Sequence, residues 1–263
     1  MVSKQLGDGK LLSQETKKKV VYDFRQNDLK NGGEGAPLAP IFHKLISEKI
    51  KVEPPLCVIN LGGIANITSI ESGEISDLGS QDIGPGNCLI DEWIKKNTNK
   101  KYDKDGLIAK SGKKDILILN QALDNHDNLK KKNILSYDTK DFDLSFVRGL
   151  SLEDGAATLT EFTGKLLAEA TLNYISKLKT KPKKILVCGG GRKNSTLINC
   201  LKDNMNIGNL VENIDNFGVD GDFVESQAFA YLAIRSFLNL PISFPKTTGC
   251  KHPSTGGKLV NNF

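Results

Sequence analysis

The sequence predicts an α/β protein, and three features carry that prediction. Two apolar runs, "LCVINLGG" (56–63) and "KKILVCGGG" (183–191), have the length and content of buried strands, and both stop at glycines. Just after the first, "IANITSIESGEISDLGS" (64–80) alternates like two strands joined through Glu-Ser-Gly-Glu. Stretches such as "PIFHKLISEKI" (40–50) and "ESQAFAYLAIRSFL" (225–238) have the apolar spacing of helices. The order is strand, hairpin strands, then helix, which is not a simple βα alternation.

Taken along the chain, "LLSQET" (11–16) reads as the end of a helix and "KVVYDF" (19–24) as a short buried strand. "NGGEGAPLAP" (31–40) is a glycine- and proline-rich loop. "GNCLIDEWIKKN" (86–97) reads as a helix opened by a stiff Gly84-Pro85-Gly86 turn. Residues 103–150 are polar and irregular and predict short helices with connecting loops. A long helix is expected over 151–179, beginning near Ser151, and another over "NSTLINCLKDN" (194–204). No repeat of 20–50 residues is visible.

Composition narrows the class. At 263 residues the chain is long enough for one large domain or two ordinary ones, with 25% charged and 38% hydrophobic residues. No apolar run approaches the roughly 18 residues of a membrane span. The opening "MVSKQLGDGKLL" lacks the apolar core of an export signal, so a cytoplasmic protein is expected. Five scattered cysteines without a CxxC pair, and three histidines without ligand spacing, predict reduced thiols and no zinc site. The net charge is +5, yet only Arg25, Arg148, Arg192 and Arg235 are arginines. The lysine runs "TKKKV", "IKKNTNKK" and "LKKKN" carry no aromatic ladder, so they read as solvated faces rather than a nucleic-acid surface.

The glycine turns are where chemistry is expected. Glycines at a strand end, Gly62 and Gly63 in one turn and Gly189, Gly190 and Gly191 in the other, let backbone approach a ligand. A helix starting just beyond suits an anion, and polyphosphate is the obvious one. The polar helix start after Gly191, including Asn194, offers a place for an adenosine group. Neither turn is a Walker A loop or a GxGxxG fingerprint. Asp82, at a strand end before the 84–87 turn, is the catalytic candidate, since a carboxylate held there can take a proton from an attacking hydroxyl or water. Capping of the following helix is the structural alternative. Arg25 and Asp28 form a second polar group, able to clamp a carboxylate or sugar hydroxyls or to serve as an ion pair beside a loop. "YDKDG" (Asp103, Asp105) lacks the rest of a calcium loop and reads as an Asx turn.

Eight stretches in order resemble the anhydro-N-acetylmuramic acid kinase family: "DFRQNDLKNGGEGAPLAPIFH", "INLGGIANIT", "QDIGPGNCLIDEW", "YDKDG", "DGAATLTEFT", "ILVCGGGRKN", "ESQAFAYLAI" and "FPKTTGC". The resemblance runs over nearly the whole chain. It implies an actin-like, hexokinase-like (ribonuclease H-like) ATPase fold. It also implies a reaction of 1,6-anhydro-N-acetylmuramic acid, ATP and water that gives N-acetylmuramic acid 6-phosphate and ADP. By the same resemblance Asp82 activates the water, Gly62 and Gly63 face phosphate, and Gly189, Gly190, Gly191 and Asn194 lie near adenosine. Arg25, Asp28, Gly84 and Asn87 lie near the sugar. ATP and Mg²⁺ are the implied cofactors, and a homodimer the implied assembly.

The sequence departs from the family at its start. The family's Gly-Thr-Ser-x-Asp-Gly phosphate loop and His-Gly-Gln-Thr segment do not occur in these 263 residues. The expectation is therefore an incomplete N-terminal lobe and hinge over 1–51, leaving apolar surface exposed, and a C-terminal kinase lobe over 52–263. Activity would then need a complementing N-terminal fragment, a non-catalytic remnant being the alternative. Thr139 stands where the family tends to carry an Arg.

Overall fold

The computed structural model describes residues 6–129 and 137–263, and the lysine run at 130–132 lies outside them. The chain divides into two compact units, one of residues 1–55, 68–81 and 223–263, the other of 56–67 and 82–222. In chain order the first unit opens with α1 (Gly9–Thr16), β1 (Val20–Tyr22), α2 (Gln26–Lys30) and α3 (Pro40–Lys49). The second begins with β2 (Leu56–Leu61), and β3 (Ile64–Ile70) and β4 (Leu78–Pro85) have residues in both. The second continues through α4 (Cys88–Asn97), α5 (Leu107–Ser111), α6 (Ile116–Leu129), α7 (Leu152–Ser176), β5 (Lys184–Cys188), α8 (Ser195–Asp203) and β6 (Val211–Asn213). The chain returns to the first unit with α9 (Val224–Phe237), α10 (Pro245–Thr248) and β7 (Lys258–Val260).

The main sheet has the order β4-β3-β2-β5-β6. β2 and β5 run parallel, with Leu56 opposite Lys184 and Asn60 opposite Cys188, and β5 and β6 are also parallel. The connections from β2 to β3 and from β3 to β4 are too short for a crossover, so those pairs are antiparallel. The result is a mixed sheet: a three-stranded meander extended on one side by two parallel strands. On one face of it Ile59, Leu61, Ala65, Ile67 and Ile83 join Leu89, Ile90 and Ile94 of α4 and Leu159 and Leu167 of α7 in a single buried core. Ser151 caps α7 by accepting the Asp154 N–H, so that helix starts where the sequence placed it.

Four expectations need adjustment. Residues 11–16 are part of a complete helix, α1, capped by Asp8, whose carboxylate accepts the N–H groups of Lys10 and Leu11. β3 is buried over most of its length rather than on alternate residues, because both of its faces are covered. Gly84 and Pro85 are the last two residues of β4, so the turn before α4 is Gly86-Asn87 alone. Residues 223–263 group with 1–55 rather than with the rest of a 52–263 lobe, because β7 pairs antiparallel with β1, Val260 opposite Val20, and α9 packs on α3. In the first unit Leu6, Leu11 and Leu12 are exposed beside an apolar groove between α1 and β1.

Candidate functional site

Three glycine-bearing turns of the second unit meet at the C-terminal ends of β2 and β5. Gly86 lies so close to the 62–63 turn that a Cβ on it would sit 2.1 Å from the Gly62 carbonyl oxygen. The N–H groups of Gly86, Asn87 and Cys88 donate to the carbonyls of Gly63, Gly62 and Gly63 at 2.9, 2.8 and 3.2 Å. The donors at the start of α4 are therefore spent on the protein's own backbone. Gly189 has φ +80°, and a Cβ there would lie 2.4 Å from Asn60 Oδ1. Gly191 packs on Leu61 and the Asn87 carboxamide, whereas Gly190 faces open space. Of the three predicted adenosine-side glycines, one is a free surface and two allow close packing.

Asp82 is buried, at 7% exposure, on β4 three residues before the end of the strand. Its Oδ2 accepts the main-chain N–H of Tyr137 at 3.0 Å. The N-cap of α4 is Asn87, five residues further on, so Asp82 does not cap that helix. Gly84, with φ +134°, keeps the backbone beyond Asp82 in a conformation that side chains rarely adopt. The segment 137–141 thus reaches both sides of the site: Tyr137 holds Asp82, and the Thr139 methyl lies beside Gly63. Sequence reading had singled out Thr139 only by its departure from a family pattern.

Beside these turns is a cavity of about 400 Å³, lined by Asn87, Asp91, Tyr102, Lys104, Gly190 and Asn194 among others. Asn194 forms part of its wall while its Oδ1 caps α8 by accepting the Leu197 N–H at 2.9 Å. Asn87 Nδ2 donates to the Leu61 carbonyl at 3.4 Å. Asp103 is buried and accepts the N–H groups of Ile108 and Ala109, each at 2.9 Å, so it acts as an end-cap for α5. Burial pushes the Asp91 carboxyl up to about 6, with Lys95 opposing and Asp103 adding to the rise. Among the described residues no group of three His, Cys, Asp or Glu is arranged to hold a metal.

The sequence reading missed Arg192. Its side chain is only 2% exposed and binds three carboxylates. Nε donates to Asp215 at 3.0 Å, and Nη1 donates to Asp222 at 2.6 Å and to the Gly189 carbonyl at 3.1 Å. Nη2 lies 3.5 Å from Asp220. Burial works against the guanidinium's charge, but the hydrogen bonds to Asp222 and Asp215 outweigh it and raise its pKa. Arg192 therefore ties the Gly189 turn to the 215–222 loop. The available signal was the three aspartates of 215–222, a run with no apolar pattern of its own.

In the first unit Asp28 is buried and spent on structure. It accepts the Gly35 N–H at 2.7 Å and the Thr248 hydroxyl at 2.6 Å. Its carboxylate fixes the 31–35 loop, and the half-buried Arg25 stands at the start of α2 next to it in sequence. All five cysteines are unbridged. Burial pushes Cys88 and Cys200 up to about 11 and about 12, so neither is a reactive thiolate at neutral pH.

A mixed sheet with glycine turns at its strand ends, a cavity of about 400 Å³ beside them and a buried aspartate on the neighbouring strand is the setting in which the chain's relatives are read. The family model described as anhydro-N-acetylmuramic acid kinase matches residues 1–262. Proteins of that name from Pelagibacter ubique and Zymomonas mobilis are 54% and 46% identical over 262 and 258 residues. These alignments cover 100% and 97% of this chain and 70% and 67% of the relatives. The chain belongs to the anhydro-N-acetylmuramic acid kinase family. Solved structures align more loosely, as with a xylulose kinase from Lactobacillus acidophilus at TM-score 0.41 and 16% identity, covering 71% of this chain and 41% of that one. That likeness is too loose to add to the strand order and the family.

Proposed function

We propose that these residues act in the ATP-dependent conversion of 1,6-anhydro-N-acetylmuramic acid and water to N-acetylmuramic acid 6-phosphate. The observation that carries the reading is Asp82: a buried carboxylate, oriented by a main-chain N–H, on β4 three residues before the end that leads into the Gly86 turn. The water oxygen bonds to the anomeric carbon as the C1–O6 bond breaks, and Asp82 takes the water's proton. The O6 freed by that cleavage bonds to the γ-phosphorus, and ADP leaves. Asp82 supplies general-base catalysis, and the fixed strand end supplies positioning.

The 400 Å³ cavity has the size and the polar fringe to take the nucleoside, with Gly190 leaving room and Asn87 and Asn194 on its wall. Mg²⁺ would enter bound mainly to the nucleotide's own phosphates, as that ion usually does. Its chemistry would be neutralisation of phosphate charge. Arg25, at the start of α2, is assigned to the sugar, and Asp28 to holding the 31–35 loop. Gly84 is assigned to the sugar side through its place two residues after Asp82, although a Cβ on it would meet the core residue Leu167 at 3.9 Å.

The proposal also assigns the opposite half of the phosphate clamp to a segment bearing Gly-Thr-Ser-x-Asp-Gly, acting together with these residues. A cytoplasmic homodimer belongs to the same reading, and no helix among the described residues is long and apolar enough to cross a membrane. The test joins the chain to the N-terminal lobe of the Pelagibacter relative and supplies ATP, the anhydro sugar and ¹⁸O-water. ADP and sugar phosphate should form in equal amounts, with ¹⁸O in the anomeric hydroxyl and none in phosphate. Label in phosphate, or ADP without sugar phosphate, would contradict the reading.

A further inference from the structure

Asn66 on β3 has a buried side-chain oxygen with no hydrogen-bond partner among the described residues. Three other buried oxygens share that condition, those of Thr160, Thr163 and Thr171, but they lie on α7, where a hydroxyl can turn back to a carbonyl of its own helix. A strand asparagine has no such recourse. An unpaired buried acceptor is costly, so a native chain that keeps one calls for an explanation.

The strand register shows where that oxygen lies. The Glu71 N–H donates to the Asp77 carbonyl at 3.5 Å, which pairs 71 with 77 across the β3–β4 connection. Both strands run uninterrupted from there, so residue 66 pairs with residue 82. Counting inward from the bonded 71/77 pair, 66/82 falls on a non-hydrogen-bonded site, where facing side chains come closest. The core agrees on the faces: Ala65, Ile67 and Ile83 all join one cluster, which leaves Asn66 and Asp82 on the opposite face.

We infer that the Asn66 side-chain oxygen is the second acceptor for the attacking water, standing across the strand pair from Asp82. The inference rests on the proposed reaction and adds a residue to it. One O–H of the water donates to the Asp82 carboxylate and is the proton transferred. The other donates to Asn66 Oδ1 and stays on the oxygen. With both hydrogens held, the water's remaining lone pair is aimed at the anomeric carbon. A carboxamide accepts a hydrogen bond without competing for the proton, so the two side chains divide holding from deprotonation.

A high-resolution crystal structure of the 263-residue chain tests the geometry without any turnover. The expected finding is an ordered water within about 3.2 Å of both Asn66 Oδ1 and an Asp82 carboxylate oxygen. Asn66 Oδ1 bonded to a protein donor, or no water between the two, overturns the inference. The second test is kinetic, in the chain joined to the Pelagibacter lobe. Asn66→Ala should lower kcat by about 100-fold while the KM values for sugar and ATP hold within about twofold. Asn66→Asp keeps an acceptor and sets a second carboxylate opposite Asp82. It should restore part of the rate and move the acid limb of the pH profile up by about one unit. Unchanged kcat in Asn66→Ala beside an inactive Asp82→Asn removes Asn66 from the mechanism and leaves the reaction standing. Turnover persisting in Asp82→Asn overturns the reaction itself.

Discussion

Asp82 owes its position to neighbours that leave it little freedom: the Tyr137 N–H on its carboxylate, and Gly84 two residues on, in a backbone conformation few residues tolerate. Gly86 shows how tight the surroundings are. A methyl group there would meet the Gly62 carbonyl at 2.1 Å, and neither backbone can yield without losing the bonds between them. Gly86→Ala should cost about 1–3 kcal/mol in urea unfolding with an unchanged m-value. Gly73→Ala, where a Cβ meets nothing within 4 Å, should stay within about 0.5 kcal/mol. His43 gives a pH prediction. It is buried with Nδ1 2.8 Å from the Thr68 hydroxyl, and burial lowers its pKa to about 4. The unfolded chain protonates this ring near 6.5 while the folded one keeps it neutral, so stability is full above 6.5 and is lost as pH falls through 4. The loss amounts to about 3 kcal/mol. Urea unfolding between pH 7 and pH 4 should show that slope, and His43→Gln should flatten it.

Among the elements, the loop 215–222 is held mainly by polar contacts: Lys193 pairs with Asp222 and the Gly189 N–H donates to the Gly221 carbonyl at 3.3 Å, but Arg192 gathers most of the carboxylates. The loop has no strand or core residue to hold its later half, and Asp215, Asp220 and Asp222 all converge on Arg192. Those carboxylates are partly exposed, so their net contribution is modest despite the number of bonds. Arg192→Met should therefore cost about 1–3 kcal/mol and speed proteolytic cleavage within 215–222, with weaker ADP binding because the Gly189 turn keeps only its backbone bond to Gly221. Wild-type cleavage rates in that variant would show that the loop is held by something else. The elements also show what sequence patterns can carry. Strands 56–61 and 184–188 and the 152–176 helix were legible because buried runs and caps are local signals. The Gly-Pro pair at 84–85 was read as a turn because glycine and proline usually break strands, and here the strand end tolerates both. Arg192 was not legible, since its carboxylates lie 23 to 30 residues away, and nor was Asn66, whose place across from β4 only the folded strands set.

For the molecule as a whole, the second unit carries the carboxylate proposed as the base, the main-chain N–H that holds it, and the cavity of about 400 Å³ proposed for the nucleoside. The first unit holds Arg25 and the loop fixed by Asp28. The division between them was hidden from the sequence because the last 41 residues return to pair with residues 20–22. On this account nucleotide binding and chemistry separate: the chain alone should bind ADP, raising its melting temperature, whereas turnover needs the Gly-Thr-Ser-x-Asp-Gly segment. The most direct measurement is turnover by Asp82→Asn in the chain joined to the Pelagibacter lobe, with ADP and sugar phosphate both assayed and folding checked by thermal melting. The expected result is a melt like that of the unaltered protein, ADP binding retained, and neither product formed above background. Undiminished formation of either product would contradict the assignment of Asp82 as the base.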